Sequence, residues 1–343
     1  MIPGIIVLLG AVVLPLFPRR LRSAAFILFP LAALTVLWTL PAGDHVQMSF
    51  ASYELHPLKV DALSRIFGAI FAMIAVIGGV FAYHMKELGQ QSAALAYAAG
   101  AIGVTFAGDF FTLYIFWEIM AFSSLYLIWA RRTDYSREAG MRYILVHFFG
   151  GGLLFAGILL HLSNGGGLMI HAMNEVFTTS NVLMLLGFSL NSAIPPLHAW
   201  LADAYPKATV TGAVFMSAFT TKSAVYILMR VFPGWDILIW FGVMMALYGV
   251  VYAVLANDIR EILAYHIISQ VGYMVAGIGI GTEMALNGAT AHAFSHILYK
   301  SLLFMGAGAV LYSTGKSKLT ELGGFARKMP WVVGLYMIGA FSI

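Results

Sequence analysis

Five ionisable side chains stand inside long apolar stretches of this chain: Glu118, Lys222, His292, His296 and Lys300. A charged residue at the centre of a bilayer costs roughly 2.5–3.5 kcal/mol on insertion scales, and such residues mark polar pathways. The chemistry these types can do is proton exchange. Glu118 lies in F-F-T-L-Y-I-F-W-E-I-M-A-F-S-S-L-Y-L. A carboxyl held between burial and a nearby cation has its charged and neutral forms in balance, so it can take and release a proton. Lys222 follows Thr220-Thr221 and precedes Tyr226 by one turn, and burial brings the neutral form of a lysine within reach. His292, His296 and Lys300 are spaced i, i+4, i+8 in A-H-A-F-S-H-I-L-Y-K. On a helix they share one face, with about 6 Å of rise between neighbours. Three protonatable groups in a row can pass a proton stepwise.

Each has a structural alternative: a neutral hydrogen-bonded Glu118, or a Lys222 locked in a static salt bridge. His147, His198 and His266 occur singly, and for them the two readings balance. No metal site is expected. H-A-F-S-H has a ligand-like spacing, but Lys300 on the same face repels a cation. No Ser-His-Asp arrangement and no cofactor motif is present.

The elements that must hold these groups are membrane helices. The chain is 61% hydrophobic and only 10% charged, against about 25% charge in a soluble domain. An all-α polytopic membrane protein follows. About twelve apolar spans of near-crossing length lie at 2–17, 23–41, 62–84, 92–108, 110–130, 141–162, 181–201, 208–232, 236–256, 262–281, 285–312 and 331–343. The first lacks a signal-peptide pattern. The last stops in A-F-S-I without a polar flank, which reads as a chain cut short after Ile343. There is no cysteine, so thiolate metal sites, iron–sulfur clusters and disulfides are excluded. No basic run suggests nucleic acid.

The seventh span carries its own signal. In N-S-A-I-P-P-L-H-A-W, from Asn191, the pair Pro195-Pro196 removes backbone N–H groups and breaks the helix. His198 follows the break and can satisfy backbone freed by it. Asp203 and Lys207 then form a polar bend, a possible entrance. The loops after odd-numbered spans hold most of the Lys and Arg, Arg131, Lys207, Arg260 and Lys318 among them, so those loops are expected to be cytoplasmic and the N-terminus periplasmic. Arg142, near a helix start, is expected to snorkel or pair with an acid. Residues 42–61 alternate polar and apolar and suggest a short outer hairpin. Residues 163–180, with Gly165-Gly166-Gly167, read as a flexible connection.

Four stretches together resemble a known family: F-W-E-I-M around Glu118, P-P-L-H-A-W-L-A-D-A-Y-P through L-M-R, N-D-I-R-E-I-L-A-Y-H-I-I-S-Q-V-G-Y-M, and H-I-L-Y-K-S-L-L-F. Over about residues 60–343 the chain is similar to the antiporter-like subunits of complex I and of Mrp-type sodium/proton antiporters, the D-type subunit most of all. The resemblance implies a fourteen-helix fold with two inverted five-helix repeats and breaks in the seventh and twelfth helices. It implies a midplane axis of ionisable groups, onto whose positions Glu118, Lys222, His296 and Lys300 fall. It divides the chain into N-terminal helices at 1–91, a first repeat at 92–232 and an incomplete second repeat at 236–343. One position departs: the family's lysine before the seventh-helix break is Asn191 here. Glu118 should then find Arg142, a histidine or water in place of that lysine.

The expected function is translocation of protons, or of sodium against protons, by one subunit of a multisubunit antiporter or redox-driven pump in the inner membrane. Its partners would be other membrane subunits. The rival is a non-conducting assembly subunit of a hydrogenase or NADH/quinone oxidoreductase complex. Asn191 favours the rival; Glu118, Lys222 and Lys300 favour transport.

Overall fold

A computed structural model describes residues 2–50 and 53–343. Two helices, α1 (Pro3–Val13) and α2 (Arg19–Thr39), lead into a hairpin of β1 (Gly43–Phe50) and β2 (Tyr53–Val60). Four helices follow: α3 (Ala62–Phe81), α4 (Leu88–Phe106), α5 (Phe110–Trp129) and α6 (Asp134–Ser163). The middle of the chain is cut into shorter pieces, α7 (Thr179–Asn191), α8 (Ala199–Ala204), α9 (Val210–Ala218) and α10 (Thr220–Val231). Long helices resume with α11 (Asp236–Leu255), α12 (Ile259–Ile280) and α13 (Glu283–Thr314), then α14 (Phe325–Lys328) and α15 (Pro330–Phe341).

Polar residues start these helices as their chemistry requires. The side chains of Asp61, Asp109, Thr133, Thr178, Thr209, Asp258 and Thr282 each accept a hydrogen bond from a first-turn N–H. Gly281 and Gly315, at φ of 68° and 69°, stop α12 and α13 in the left-handed conformation that glycine adopts freely. Among the described residues, eight helices are long and apolar enough to cross a membrane. The remaining expected spans are also helical, but shorter, less apolar or broken. The stretch Val210–Val231 lies almost wholly inside the protein. Its two helices pack against α3, α4, α5, α7, α12 and α13.

The outer loop does form the expected hairpin, paired from Gly43↔Val60 to Phe50↔Tyr53; its turn at 51–52 lies outside the described residues. It is pinned to the α4–α5 junction: His56 N donates to Asp109 Oδ2 and Gly108 N donates to His56 O, both at 2.8 Å. The connection at 163–180 corrects the expectation of a free linker. Ile170 N donates to Gly108 O, Phe110 N to Leu168 O, and Met173 N to Val231 O. Trp235 Nε1 also donates to Met173 O. Glycines in a loop signal a bend, but here the neighbouring backbone fixes it.

α11 and α12 touch backbone to backbone. A Cβ on Gly249 would sit 2.4 Å from Ser269 N, and one on Gly242 would sit 2.4 Å from Ala276 N. Gly249→Ala should therefore lower stability by about 1–3 kcal/mol through overpacking. The readout is the thermal midpoint of the detergent-solubilised protein. An unchanged midpoint would mean that the two backbones are not in contact.

Candidate functional site

The seventh span breaks where the prolines predict. α7 ends at Asn191, and helix resumes only at Ala199. The carbonyls freed at the end of α7 find donors. Ser192 N reaches Phe188 O, Ile194 N reaches Ser189 O, and Trp200 Nε1 reaches Leu190 O at 2.9 Å. Ala193 turns the chain at a φ of 59°, a conformation uncommon outside glycine. His198 packs edge-on to Tyr248, and its Nδ1 has no hydrogen-bond partner among the described residues. His147 is structural: its Nδ1 bonds Tyr143 O at 2.9 Å and its ring stacks on Tyr143.

A second break was not expected. The eighth span divides at Phe219, between α9 and α10. Thr220 N leaves the helical ladder and donates to the Tyr97 hydroxyl at 3.1 Å, which also bonds Thr220 Oγ1 at 2.5 Å. Lys222 N turns back to Phe219 O. The Lys222 ammonium, fully buried, donates to the freed Ser217 carbonyl at 2.6 Å. The lysine thus sits inside the discontinuity and satisfies it.

Around this break lies a buried hydroxyl cluster that sequence reasoning missed. Tyr97 and Tyr143 both reach Thr220, and Tyr143 OH shares a hydrogen bond of 2.8 Å with Ser124 Oγ. Tyr205 is fully buried beside them, its hydroxyl without a hydrogen-bond partner among the described residues. A buried tyrosine needs a partner for its hydroxyl. That was the available signal, but sixteen tyrosines share it.

The stripe on α13 falls as its spacing requires. His292 is half-buried; His296 and Lys300 are fully buried. The His292 and His296 rings are 6.0 Å apart, and His296 lies 5.1 Å from Tyr299. Both ring nitrogens of His296 and the Lys300 ammonium lack a hydrogen-bond partner among the described residues. The charges of Lys222 and Lys300 act on each other and on His296. Neither lysine faces lipid. His266, on α12, adds a third imidazole near Lys300, its Nδ1 also unpartnered among the described residues.

Glu118, half-buried on α5, packs against Gly151 of α6, where a Cβ would stand 2.3 Å from Oε1. Tyr114 lies one turn earlier on the same helix. Among the described residues no cation forms an ion pair with it. Arg142, one expected neighbour, is committed elsewhere: its Nε donates to Asp203 Oδ2 at 2.7 Å, and Glu138 lies 3.8 Å from Nη1. Asn191 is buried at the end of α7.

Asp203 and Lys207 line a cavity of about 730 Å³, together with Arg131, Arg260, Glu261 and Lys318. Four basic residues from different odd-numbered loops thus meet at one end of the protein. Arg260 is not a solvated loop residue. It is buried, and its Nη2 donates to the carbonyls of Tyr205, Ala208 and Thr209 at 3.0–3.2 Å. Asp203 also pairs with Lys207. Burial alone would raise the Asp203 carboxyl, but hydrogen bonds from Arg142 and Lys207 outweigh it and hold the carboxyl below its ordinary value.

A helical membrane protein with a broken central axis and a buried row of basic groups is the class this geometry defines. The family model described as NADH:quinone oxidoreductase/Mrp antiporter, TM, matches residues 107–343, and the chain belongs to that family. It is 33% identical over 264 residues to the D-type component of the Na(+)/H(+) antiporter of Alkalihalophilus pseudofirmus, covering 71% of this chain and 53% of that protein. It is 33% identical over 265 residues to the N-type component of the NADH-quinone oxidoreductase of Desulforudis audaxviator, with the same coverages. The chain spans about half the length of these curated relatives. Among solved structures it resembles a component of the Mrp complex from Dietzia, with a TM-score of 0.86 and 26% identity over 96% of this chain and 39% of that one.

The Asp203 ion pairs make a pH signature. Because the folded carboxyl titrates below its ordinary value of about 3.9, its stabilising contribution is complete above that value and is lost as pH falls through the folded one. The wild-type thermal midpoint should exceed that of Asp203→Asn at pH 7, and the gap should begin to narrow only as pH falls below about 3.9 and shrink further as it passes the lower, folded value. A gap that stays constant over that range would remove the pairs from the stability of the entrance.

Proposed function

We propose that this chain is the ion-translocating part of a membrane subunit that works within a multisubunit antiporter or redox-driven pump. The observation that carries this reading is the row of Lys222, His296 and Lys300, buried, mutually interacting, and largely without protein partners among the described residues. Buried polar groups in native proteins are nearly always satisfied by protein or ordered water. Orphaned nitrogens in a row therefore favour a hydrated axis, each water making two to four bonds. Glu118 gates this axis, Lys222 is its central proton site, and His292, His296 and Lys300 carry protons onward. The cavity lined by Asp203 and Lys207 is the entrance, and the Tyr97–Tyr143–Tyr205 cluster with Thr220 is the polar link from there to Lys222. The moving ion is the proton, alone or exchanged for sodium.

The same reading divides the chain into N-terminal helices at 1–91, a first antiporter repeat at 92–232 and part of a second at 236–343. It puts the protein in the inner membrane with its N-terminus periplasmic. The basic residues that meet around the Asp203 cavity support that orientation, since cytoplasmic loops carry the excess of Lys and Arg. A non-conducting assembly subunit is the second reading. It is favoured by Asn191 at the position where the resemblance implies a lysine, and by a Glu118 without a cation.

Two variants in the native complex decide between them. Glu118→Gln keeps shape and hydrogen bonding but cannot titrate; Lys222→Met keeps chain length but carries no charge. Glu118→Gln should assemble at wild-type levels and Lys222→Met at lower ones, because Ser217 O loses its donor; per assembled complex, both should lose most ion-linked transport in inverted membrane vesicles. Wild-type flux in both would leave the assembly reading standing.

A further inference from the structure

Lys222, Tyr226 and Arg230 are spaced i, i+4, i+8 on α10. They form one stripe from the α9–α10 break to the end of the helix beside the hairpin. The stripe ends on Asp61, which caps α3. Arg230 Nη1 and Nη2 donate to the two carboxylate oxygens of Asp61, both at 2.5 Å. Arg230 Nε donates to the Tyr226 hydroxyl at 3.0 Å, and that hydroxyl donates to Thr105 O at 2.6 Å. The guanidinium carbon stands 5.0 Å from the Tyr226 ring centre. Tyr226 is therefore tied at both its proton and its lone pair, and only 2% of it is exposed.

Beside this lock is a cavity of about 20 Å³, lined by Lys59, Gly108, Ile170, Tyr226 and Arg230. That is enough for one water, which needs about 10–15 Å³. One turn inward, Ser223 is fully buried and its Oγ has no partner among the described residues. Ser223 lies within the same sector of α10 as Tyr226 and Arg230. A stripe of polar residues thus runs along α10 from Lys222 to a single bidentate ion pair, with water-sized space at its outer end.

We propose that Asp61, Arg230 and Tyr226 form a closable gate between Lys222 and the hairpin face of the protein, opened when the Asp61–Arg230 pair parts. This rests on the reading of Lys222 as a proton site. Through the open gate the Lys222 ammonium gives its proton to water and becomes a neutral amine; no other reactant is required. With the pair closed, the hydrogen bonds of Arg230 and Tyr226 are spent on each other, on Asp61 and on Thr105. The competing account is a permanent tie between α3 and α10.

The chain has no cysteine of its own, so a single introduced thiol reports access. Ser223→Cys is nearly isosteric. In sealed vesicles holding the whole complex, a membrane-impermeant methanethiosulfonate is applied to the hairpin face. The native pair should protect this thiol. Asp61→Asn should raise its labelling rate by roughly tenfold or more, the scale set by losing a charged hydrogen-bond partner. Exchanging the charges, Asp61→Arg with Arg230→Asp, should restore protection. Val225→Cys, buried on the other side of the same helix, should stay protected throughout. Equal labelling of Ser223→Cys with and without Asp61→Asn overturns the gate. So does a rise shared by Val225→Cys, which would report a loosened helix, or continued exposure in the charge exchange. Labelling needs no transport, so failure here leaves the Glu118→Gln and Lys222→Met results untouched, and their failure leaves this one readable.

Discussion

One bond organises the centre of this protein: the Lys222 ammonium on the Ser217 carbonyl, 2.6 Å across a helix break. Each group is a problem alone. A buried ammonium without a partner carries a large desolvation cost, and a buried carbonyl outside its ladder forfeits a hydrogen bond. Together they are tolerated, and each then depends on the other. Were α9 and α10 one straight helix, Ser217 O would accept from a backbone N–H and the lysine would lose its acceptor. The surrounding helices follow from this. Residues 211–229 are buried throughout, because neither the break nor the charge can face lipid.

The two breaks solve the same backbone problem with different side chains. At the end of α7 the donors come from tight turns and from Trp200. At Phe219 the side-chain partners are Lys222 and, from α4, Tyr97. The second solution puts a titratable group where the first puts an indole. The second break thus depends on protonation through the residue that closes it, since a neutral Lys222 is a weaker donor to Ser217 O. Helix geometry and proton occupancy meet at that one residue.

What the sequence made legible follows from cost. Glu118, Lys222 and Lys300 stood out because each is expensive in an apolar stretch. The α7 break stood out because two prolines cannot continue a helix. The hairpin was visible through alternation, and the α13 stripe through a four-residue spacing. The break at Phe219 had no such mark. F-M-S-A-F-T-T-K holds neither proline nor glycine, and the helix parts there because Tyr97, 123 residues away, captures the Thr220 N–H. The burial of Arg260 was unmarked for a related reason. Its place in an odd-numbered loop says nothing of its partners, and its guanidinium holds the α8–α9 connection together. Local pattern reveals what a residue costs; it does not reveal which distant group meets that cost.

The imbalance of charge along the axis gives the proposed pathway its order. Lys222, His296, Lys300 and His266 lie within electrostatic reach of one another, and among the described residues no acid is paired to any of them. Like charges this close in a low dielectric cannot all be present at once. A proton arriving at Lys222 therefore disfavours one at Lys300, and the reverse. Such mutual exclusion turns a row of similar groups into a sequence of single occupancies, without a separate device to enforce it. Glu118 stands apart, with no cation paired to it among the described residues and Asn191 where the family resemblance implies a lysine. In the proposed pathway, Asn191 leaves Glu118 to exchange its proton without an ion-pair partner, and the later steps keep their order because the basic groups alone impose it.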